Sequence, residues 1–316
     1  MALPGKENVL NAVRLLEIRE DIIYAGPDFY IETCAIPNPE PTYYSYQVFK
    51  FMSIGLLDAW DMVTGSSFVK VGVLDTGIDS THPGLIGRVN ENLSRDFING
   101  NDVGIVSGYP PPHGVGKYLH GSKVTGIIGA NGVGVIGSCW DVTMVSLRVL
   151  TATQATITNI IYAISYATGA GIPILNLSGG YSGVSDYCLF YSILNYPGLF
   201  VCAAGNYNQN NDNPPNYSDG SYYPASFNYL DNLISVGAID LNGAIWACTK
   251  SHSEHENGCG SNYGQTSVDL FAPGVDIMST VIAYPYYYDD KGTSMAAPFV
   301  TGAAALIKTA YPHFSA

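Results

Sequence analysis

Ser294 lies between a glycine turn and a run of small apolar residues that begins at Met295. This pattern predicts a loop that enters a tightly packed helix, with the serine at the helix N-terminus. The partial positive charge and unpaired N–H groups of a helix N-terminus stabilise the oxyanion that forms when a hydroxyl attacks a carbonyl group. A serine at such a place becomes a nucleophile when a base lies nearby, whereas an isolated one is an N-cap.

Asp75 and His120 have the chemistry that such a serine requires. Asp75 follows the apolar residues 69–74, which predict a buried strand, and chemistry in parallel sheets gathers at the carboxyl ends of strands. His120 opens a segment with apolar residues at helical spacing, so we expect it at a helix start. An imidazole accepts the serine proton and a carboxylate fixes the imidazole tautomer. The order Asp, His, Ser, with each residue at the junction of a loop and an element, is hard to obtain by accident.

The elements that must position these residues alternate between strands and helices. Apolar runs predict strands at residues 69–74, 142–149, 173–177, 199–204, 233–239, 268–271 and 276–281. Helical spacing predicts helices at residues 157–167 and 187–194, besides those that begin near His120 and Ser294. This alternation predicts the α/β class, with a three-layer, doubly wound, mostly parallel sheet that has helices on both faces.

Four motifs resemble those of the subtilase superfamily of subtilisin-like serine proteases. They are Asp75-Thr76-Gly77, His120-Gly121-Ser122, Gly205-Asn206 and Gly292-Thr293-Ser294-Met295-Ala296-Ala297-Pro298. The resemblance implies a subtilisin-like fold and a serine endopeptidase, a hydrolase that cleaves peptide bonds through an acyl-enzyme. By this resemblance Asp75, His120 and Ser294 form a catalytic triad, and the side-chain amide of Asn206 donates to the oxyanion.

The resemblance also implies a cleft for peptide or protein substrates. The residues implied are Ser178, Gly179, Gly180, Ala203, Ala204 and Gly205. The first three form an edge that pairs with the extended substrate backbone, so specificity must come from pockets under alternate side chains. Because Gly179 stands where the family usually has a larger apolar residue, we expect a roomy pocket that favours large hydrophobic or aromatic side chains.

One residue of the histidine motif departs from the family pattern. Lys123 brings a cation within one helical turn of His120. A cation that faced the imidazole would disfavour the imidazolium, reduce turnover and move the acid limb of the pH profile down. We expect Lys123 to point to solvent, where it would change nothing.

The places that bind calcium tightly in the family also differ. Residues 82–84 (His-Pro-Gly) offer no carboxylate, and the loop at residues 131–134 is short. Calcium needs about six to eight oxygen ligands, with carboxylates that balance its charge. We therefore expect this calcium site to be absent and the activity to require no cofactor. Weaker calcium sites stay open at four aspartates of predicted loops, which are Asp212, Asp219, Asp289 and Asp290.

The composition fits one large domain and argues against two classes of partner. Of the 316 residues, 47% are hydrophobic, which is ample for a single large α/β core. The formal net charge of −13 argues against nucleic acid and anionic membrane surfaces. No apolar run reaches the length of a membrane span, and no signal peptide is present at Met1. We expect a monomer.

The N-terminal residues resemble the last third of a subtilase inhibitory propeptide, with an amphipathic helix, a turn and a short strand. The alternative is an ordinary N-terminal helix that packs on the domain. We expect residues 1–33 to be a partial propeptide that acts as an intramolecular inhibitor and residues 34–46 to be a linker cut on maturation. Residues 47–316 would be the peptidase domain, truncated at its C-terminus. These expectations describe a zymogen that is secreted, with its targeting signal upstream of this chain.

Six cysteines are scattered along the chain: Cys34, Cys139, Cys188, Cys202, Cys248 and Cys259. An even number suits one to three disulfides in an exported protein, with the pairing undecided. The spacing of Cys248, His252, His255 and Cys259 could also close a tetrahedral zinc site. A disulfide between Cys248 and Cys259 would close the same loop more simply.

Three function hypotheses follow from these patterns. The first is an active secreted endopeptidase made as a precursor. The second is a non-catalytic or impaired subtilase-like protein that binds peptides in its groove; Lys123 and truncation at both ends favour it, and the retention of all four site residues opposes it. The third is a processing protease that selects basic residues, which requires acidic pockets that Gly179 and Ala203 do not suggest.

Overall fold

The structure is a computed structural model that describes residues 15–16, 19, 35–37, 40–100, 120–151, 155–212, 221–247, 259–281 and 287–315. By its internal contacts the chain divides into two compact units, Met1–Cys34 and Ala35–Ala316. In the first unit the description is limited to Leu15 and Leu16, which are helical, and Arg19. The predicted strand of the propeptide therefore lies outside the described residues.

The second unit alternates between strands and helices, as predicted. The helices are α1 (Tyr44–Ser53), α2 (Leu56–Met62), α3 (His120–Gly129), α4 (Ile157–Gly169), α5 (Tyr187–Leu194) and α6 (Thr293–Ala310). The strands are β1 (Gly65–Asp75), β2 (Arg95–Asp96), β3 (Asp141–Arg148), β4 (Ile174–Leu177), β5 (Tyr181–Ser182), β6 (Leu199–Ala203), β7 (Tyr222–Tyr223), β8 (Leu233–Ile239), β9 (Leu270–Pro273), β10 (Ile277–Thr280) and β11 (Tyr287–Asp290). A short 3₁₀ helix covers Glu91–Leu93.

Seven strands form one sheet in the order β2-β3-β1-β4-β6-β8-β9, and every neighbouring pair is parallel. Strand β1, the third in this order, pairs with β3 on one side and with β4 on the other. Its last residue, Asp75, lies opposite Arg148 at the carboxyl end of β3. The predicted parallel sheet is confirmed, and the position of Asp75 at its carboxyl edge follows from the strand direction.

Helices cover both faces of this sheet. On one face, Val71 and Val73 of β1 pack in a core shared with α1, α2, α3 and α6. On the other face, Leu74 packs in a second core shared with α4 and α5. Burial of a valine or leucine side chain contributes about 1.5–3 kcal/mol, so both faces of β1 favour a central position in the sheet. The three-layer, doubly wound architecture is confirmed.

The predicted strand at residues 276–281 joins a different sheet from the other predicted strands. It forms β10, which pairs antiparallel with β11, so that Ile277 lies opposite Asp290. Tyr287 of β11 packs its ring against Tyr43 and His82, and its hydroxyl donates to the carbonyl oxygen of Val133. The hairpin leads directly into α6.

Helix α1 begins inside the segment that was predicted to be a linker. Phe51 of α1 is buried against Trp60 of α2 and Phe299 of α6, so the helix is part of the core on that face of the sheet. Among the described residues, none of the helices has the length and apolar character needed to cross a bilayer.

Candidate active site

Asp75 and His120 are in direct contact, although 45 residues separate them in the sequence. The imidazole Nδ1 lies 2.9 Å from both carboxylate oxygens of Asp75. Asp75 is fully buried, whereas the His120 side chain keeps 26% of its surface exposed. A carboxylate in this position holds Nδ1 protonated, so that Nε2 is left as the basic nitrogen.

The close approach of α3 to the end of β1 explains this contact. A Cβ atom at Gly121 would lie 2.3 Å from the carbonyl oxygen of Gly77, so only glycine fits at the second residue of the helix. The N–H of Gly121 donates to Thr76 Oγ1, and the N–H of Thr76 donates to Asp75 Oδ1. The helix start and the carboxylate are therefore held by the same short turn.

The pKa of His120 is raised above the ordinary value of a histidine. Burial by itself would lower this pKa, since it disfavours the charged ring. The charge and the hydrogen bond of Asp75, together with the charge of Asp290, outweigh burial and the opposing charge of Lys123. The imidazolium is therefore stabilised, which suits a group that takes a proton during a reaction.

The expectation that Lys123 points to solvent is wrong. Its ammonium group lies 2.5 Å from Asp290 Oδ2, and only 13% of its side chain is exposed. The lysine thus faces a carboxylate of β11 across the helix–strand contact. Its charge near His120 is balanced by this partner, so the structure gives no reason to expect the loss of turnover that an unpaired cation facing the imidazole would cause.

Ser294 is the second residue of α6 and is half-buried. Gly292 is the N-cap of the helix, and the N–H of Met295 donates to its carbonyl oxygen. The hydroxyl of Ser294 therefore stands in the field of a helix of 18 residues, at the end that stabilises negative charge. The predicted position at the mouth of a helix is where the structure places it.

Asn206 follows the carboxyl end of β6 and lies against the start of α6. Its side-chain carbonyl Oδ1 accepts hydrogen bonds from the N–H of Thr293 at 2.9 Å and from its hydroxyl at 2.8 Å. With the carbonyl held in this way, the amide Nδ2 is the group left to donate. Thr293 was not among the residues predicted to act in the site, and its place directly before the serine is the signal that could have found it.

The packing of α3 on α6 brings His120 and Ser294 to one edge of the sheet. A Cβ at Gly302 would lie 3.3 Å from the carbonyl oxygen of Ile128, and these residues follow Ser294 and His120 by eight positions each. Both helices start at the carboxyl edge, so each side chain lies about 12 Å along its own helix from this contact, toward that edge. In the described part of the chain no hydrogen bond joins them; in free enzymes such bonds are often long.

The predicted cleft edge follows β4. Ser178 is buried, and its hydroxyl accepts a hydrogen bond from Asn176 Nδ2 at 2.9 Å. Asn176 Oδ1 in turn accepts from Thr301 of α6 at 2.7 Å, which links the edge segment to the serine helix. Gly179 is half-buried and Gly180 is exposed, so backbone is accessible where a substrate strand would pair.

An apolar cavity of about 560 Å³ lies next to this edge. Its lining residues are Leu150, Ala155, Thr156, Ile157, Ile160, Leu177, Gly180, Tyr181, Leu189 and Pro224. A Cβ at Gly179 would stand 3.6 Å from Leu150, an ordinary contact, so the glycine leaves space toward the cavity. The other predicted wall is packed more tightly, because Ala203 and Ala204 are buried and Tyr222 and Asn262 occupy the space beside Gly205.

Comparison with known proteins decides the family. The model of the subtilase family matches residues 66–316, which is most of the chain. The chain belongs to the subtilase family.

Similar proteins agree with this assignment. A thermophilic serine proteinase of Bacillus sp. (strain AK1) is 34% identical over 307 residues, which cover 95% of this subtilase chain and 66% of that protein. Halolysin of Haloferax mediterranei is 30% identical over 308 residues, which cover 96% of this chain and 52% of that protein. The crystal structure of a cold-adapted subtilisin-like serine proteinase matches with a TM-score of 0.58 at 27% identity, over 79% of this chain and 78% of that one. The chain thus spans about half to two-thirds of the length of the two relatives.

The residues at the place of the subtilase calcium site do not fit calcium. Asn131 Oδ1 already accepts from the N–H of Val133, and its amide donates to the carbonyl oxygens of Pro83 and Ile86. His82 Nδ1 accepts from the N–H of Gly84. These groups close the loop by themselves and bring no carboxylate, whereas calcium requires several. The absence of this site stays a prediction.

The candidate zinc cluster lies mostly outside the described residues, which exclude Cys248, His252 and His255. Cys259 is described and is disulfide-bonded. A sulfur in a disulfide offers no thiolate to zinc, so this observation favours the disulfide alternative. Cys139, Cys188 and Cys202 are free, and burial raises the pKa of Cys139 to about 12.

Proposed function

We propose that this chain is a serine endopeptidase that hydrolyses peptide bonds through an acyl-enzyme. Asp75, His120 and Ser294 are its triad, and Asn206 is the side-chain donor to the oxyanion. The observation that carries the proposal is the contact of His120 with the buried Asp75, at the sheet edge where α6 presents Ser294 beside Asn206. Neutral serine is a poor nucleophile, so it requires a base, a group that orients that base and a donor to the oxyanion.

The reaction follows from these positions. The basic nitrogen of His120 takes the proton of Ser294 as the hydroxyl oxygen attacks the carbonyl carbon of the peptide bond. The carbonyl oxygen becomes an oxyanion, which receives hydrogen bonds from Asn206 Nδ2 and from the backbone N–H of Ser294. His120 then returns the proton to the leaving amine, and a water molecule hydrolyses the acyl-enzyme by the same route. Asp75 stabilises the imidazolium throughout, and no step requires a cofactor.

Substrates are extended peptide or protein segments that pair with the edge at Ser178, Gly179 and Gly180. The apolar lining of the neighbouring cavity supports a preference for large hydrophobic or aromatic side chains. Such a pocket binds by burial of apolar area rather than by charge, so the preference does not depend on pH. It also opposes the hypothesis of a protease that selects basic residues, since no acidic side chain is among the lining residues described.

The segment at residues 1–33 is an inhibitory propeptide in this proposal, residues 34–46 are the linker cut on maturation, and the protein is a secreted, monomeric zymogen. The match with the first relative supports a shared N-terminal segment, because it covers 95% of the chain and so extends well before residue 66, where the family match begins. The disulfide at Cys259 supports an oxidising compartment. Incubation of purified protein with and without reductant, followed by N-terminal sequencing of any shortened product, tests both points.

A fluorophosphonate probe tests the catalytic proposal. Such probes form a covalent bond with an activated serine, so the native chain should be labelled and should hydrolyse a peptide substrate. Ser294→Ala should abolish labelling and lower kcat by about 10⁶, the loss known for the triad serine of subtilisin. Ser165→Ala, at an exposed position of α4, is the matched control and should change neither.

The alternative is a subtilase that binds peptides without cleaving them. It is favoured if the folded native chain is not labelled yet still binds a peptide with an aromatic side chain. That result would overturn the catalytic proposal and leave the cleft intact.

A further inference from the structure

Lys123 and Asp290 form an ion pair between the helix that carries His120 and the strand that leads to Ser294. The ammonium group lies 2.5 Å from Asp290 Oδ2, and the two residues are 167 positions apart in the sequence. Lys123 is one helical turn after His120, and Asp290 is four residues before Ser294. The pair thus connects the two parts of the chain that must present the base and the nucleophile to each other.

Two further hydrogen bonds join the same elements. Ser279 Oγ donates to the carbonyl oxygen of Lys123, and Thr280 Oγ1 donates to that of Ser122, both at 2.7 Å. These two residues lie on β10, which is paired with β11 in a hairpin. The two neutral hydrogen bonds attach β10 to α3. The ion pair attaches the last residue of β11 to the same helix. Of these three contacts with α3, the ion pair is the one made by the segment that enters α6.

We propose that Lys123 and Asp290 are a positioning pair for the proposed reaction, on whose roles for His120 and Ser294 this inference rests. The ion pair holds α3 against the residues that precede Ser294, and its two opposite charges cancel near the imidazole. Lys123 therefore does not impair the base, because Asp290 accompanies it. Neither residue touches the reacting atoms.

The charges that face His120 come from several elements. Asp75 belongs to β1, Asp290 to β11 and Lys123 to α3 itself, and the loop after β1 brings Asp79 to Ser122, whose hydroxyl accepts from its N–H. Arg148 of β3 donates to the carbonyl oxygen of Thr76 and is paired with Asp96. Of the described elements packed against α3, β10 and α6 bring no charge close to the ring, since β10 has none and α6 has none before Lys308.

Removal of one member at a time should shift the acid limb of kcat/KM in opposite directions. Lys123→Met leaves Asp290 unpaired, which stabilises the imidazolium and should move the limb up by roughly half a pH unit. Asp290→Asn leaves Lys123 unpaired and should move the limb down by a similar amount. In the double variant both charges are absent, so the limb should return to its wild-type position.

The positional role predicts a second effect. Each single variant and the double variant should lose roughly threefold to tenfold in kcat with little change in KM, because the connection between α3 and β11 is broken in all three. The loss should persist in the double variant, whereas the pH shift should not. Lys123→Arg keeps the charge and should restore both quantities to near the wild-type values.

Lys291→Met is the matched control, since Lys291 follows Asp290 directly but is exposed. Its acid limb should stay within about a tenth of a pH unit of wild type, because water and salt screen its charge. Thermal melting and fluorophosphonate labelling show which variants are folded and have an active serine. If labelled single variants share the wild-type acid limb, or shift it in the same direction, the positioning pair is overturned. If the wild-type chain itself is not labelled, the proposed function fails first and this inference fails with it.

Discussion

The two halves of the active site are built from different interactions. The acid–base half, Asp75 and His120, depends on a buried carboxylate that lies 2.9 Å from a titratable imidazole. The oxyanion half, Asn206, Thr293 and Ser294, depends on neutral hydrogen bonds and the N-terminus of α6. Charge is sensitive to pH and to neighbouring charges, whereas neutral hydrogen bonds are not. The two halves should therefore respond differently to substitution, and the following predictions test that difference.

Among the substitutions that compare the two halves, replacement of the carboxylate in the acid–base half should have the largest effect. In Asp75→Asn the imidazole loses the partner that fixes its tautomer, so kcat should fall about 10⁴-fold. The carboxylate is also the chief group that raises the pKa of His120. In the wild type the acid limb of kcat/KM should thus lie above 6.5, the ordinary value for histidine, and in the variant it should move to lower pH. A pH–rate series with a peptide substrate measures both, and Asp231→Asn, on an exposed turn, is the control.

Loss of the oxyanion donor should lower turnover without a change in the pH profile. Asn206→Ala should reduce kcat by about 10²–10³, the range known for the equivalent donor of subtilisin. Because the amide carries no charge and does not touch His120, the acid limb should stay where it is. A displaced limb would show that the two halves are coupled electrostatically. Asn92→Ala, at an exposed asparagine, should leave kcat unchanged.

Thr293 should affect turnover through Asn206, although its hydroxyl also accepts a hydrogen bond from the N–H of Gly205. Its hydroxyl supplies one of the two hydrogen bonds that hold the side-chain carbonyl of Asn206, so Thr293→Val should leave the amide free to reorient. The loss of one such bond corresponds to about tenfold in kcat. Thr293→Ser keeps the hydroxyl and should recover most of the rate. If the double variant Thr293→Val/Asn206→Ala has the same kcat as Asn206→Ala, the two residues act as one unit. If the losses of the two single variants add in the double variant, that conclusion is refuted.

The smallest effect is expected outside both halves, in the cavity beside the cleft edge. Gly179→Leu should place its side chain toward Leu150 and fill part of the apolar space. The preference for aromatic over small side chains should then fall about tenfold, with kcat for small substrates retained. A peptide library profiled on wild type and variant measures this change. Gly169→Ala, at an exposed position of α4, is the control. An unchanged profile in Gly179→Leu would show that the cavity does not determine specificity.

Much of the fold could be predicted because it is encoded locally. Apolar runs predicted every described strand of the parallel sheet except the two-residue edge strand β2, and helical spacing predicted α5 at its observed bounds, Tyr187–Leu194. The same local patterns placed Asp75, His120 and Ser294 at the ends of elements. Helices α1 and α2 were not predicted, because the stretch before Phe51 is rich in tyrosine and proline and shows no clear helical spacing. The burial of Phe51, which shows that α1 packs on the core, is visible only in the structure.

The sequence by itself determined which residue types stand at the ends of strands and helices, and from their order it indicated the chemistry. Tertiary structure alone decided the pairing of Lys123 with Asp290, the orientation of the Asn206 amide by Thr293, and the departure of β10 from the main sheet. The physical reason is range. Propensity and periodicity act over a few residues, whereas an ion pair between positions 167 apart depends on how whole elements pack before either charge can meet its partner.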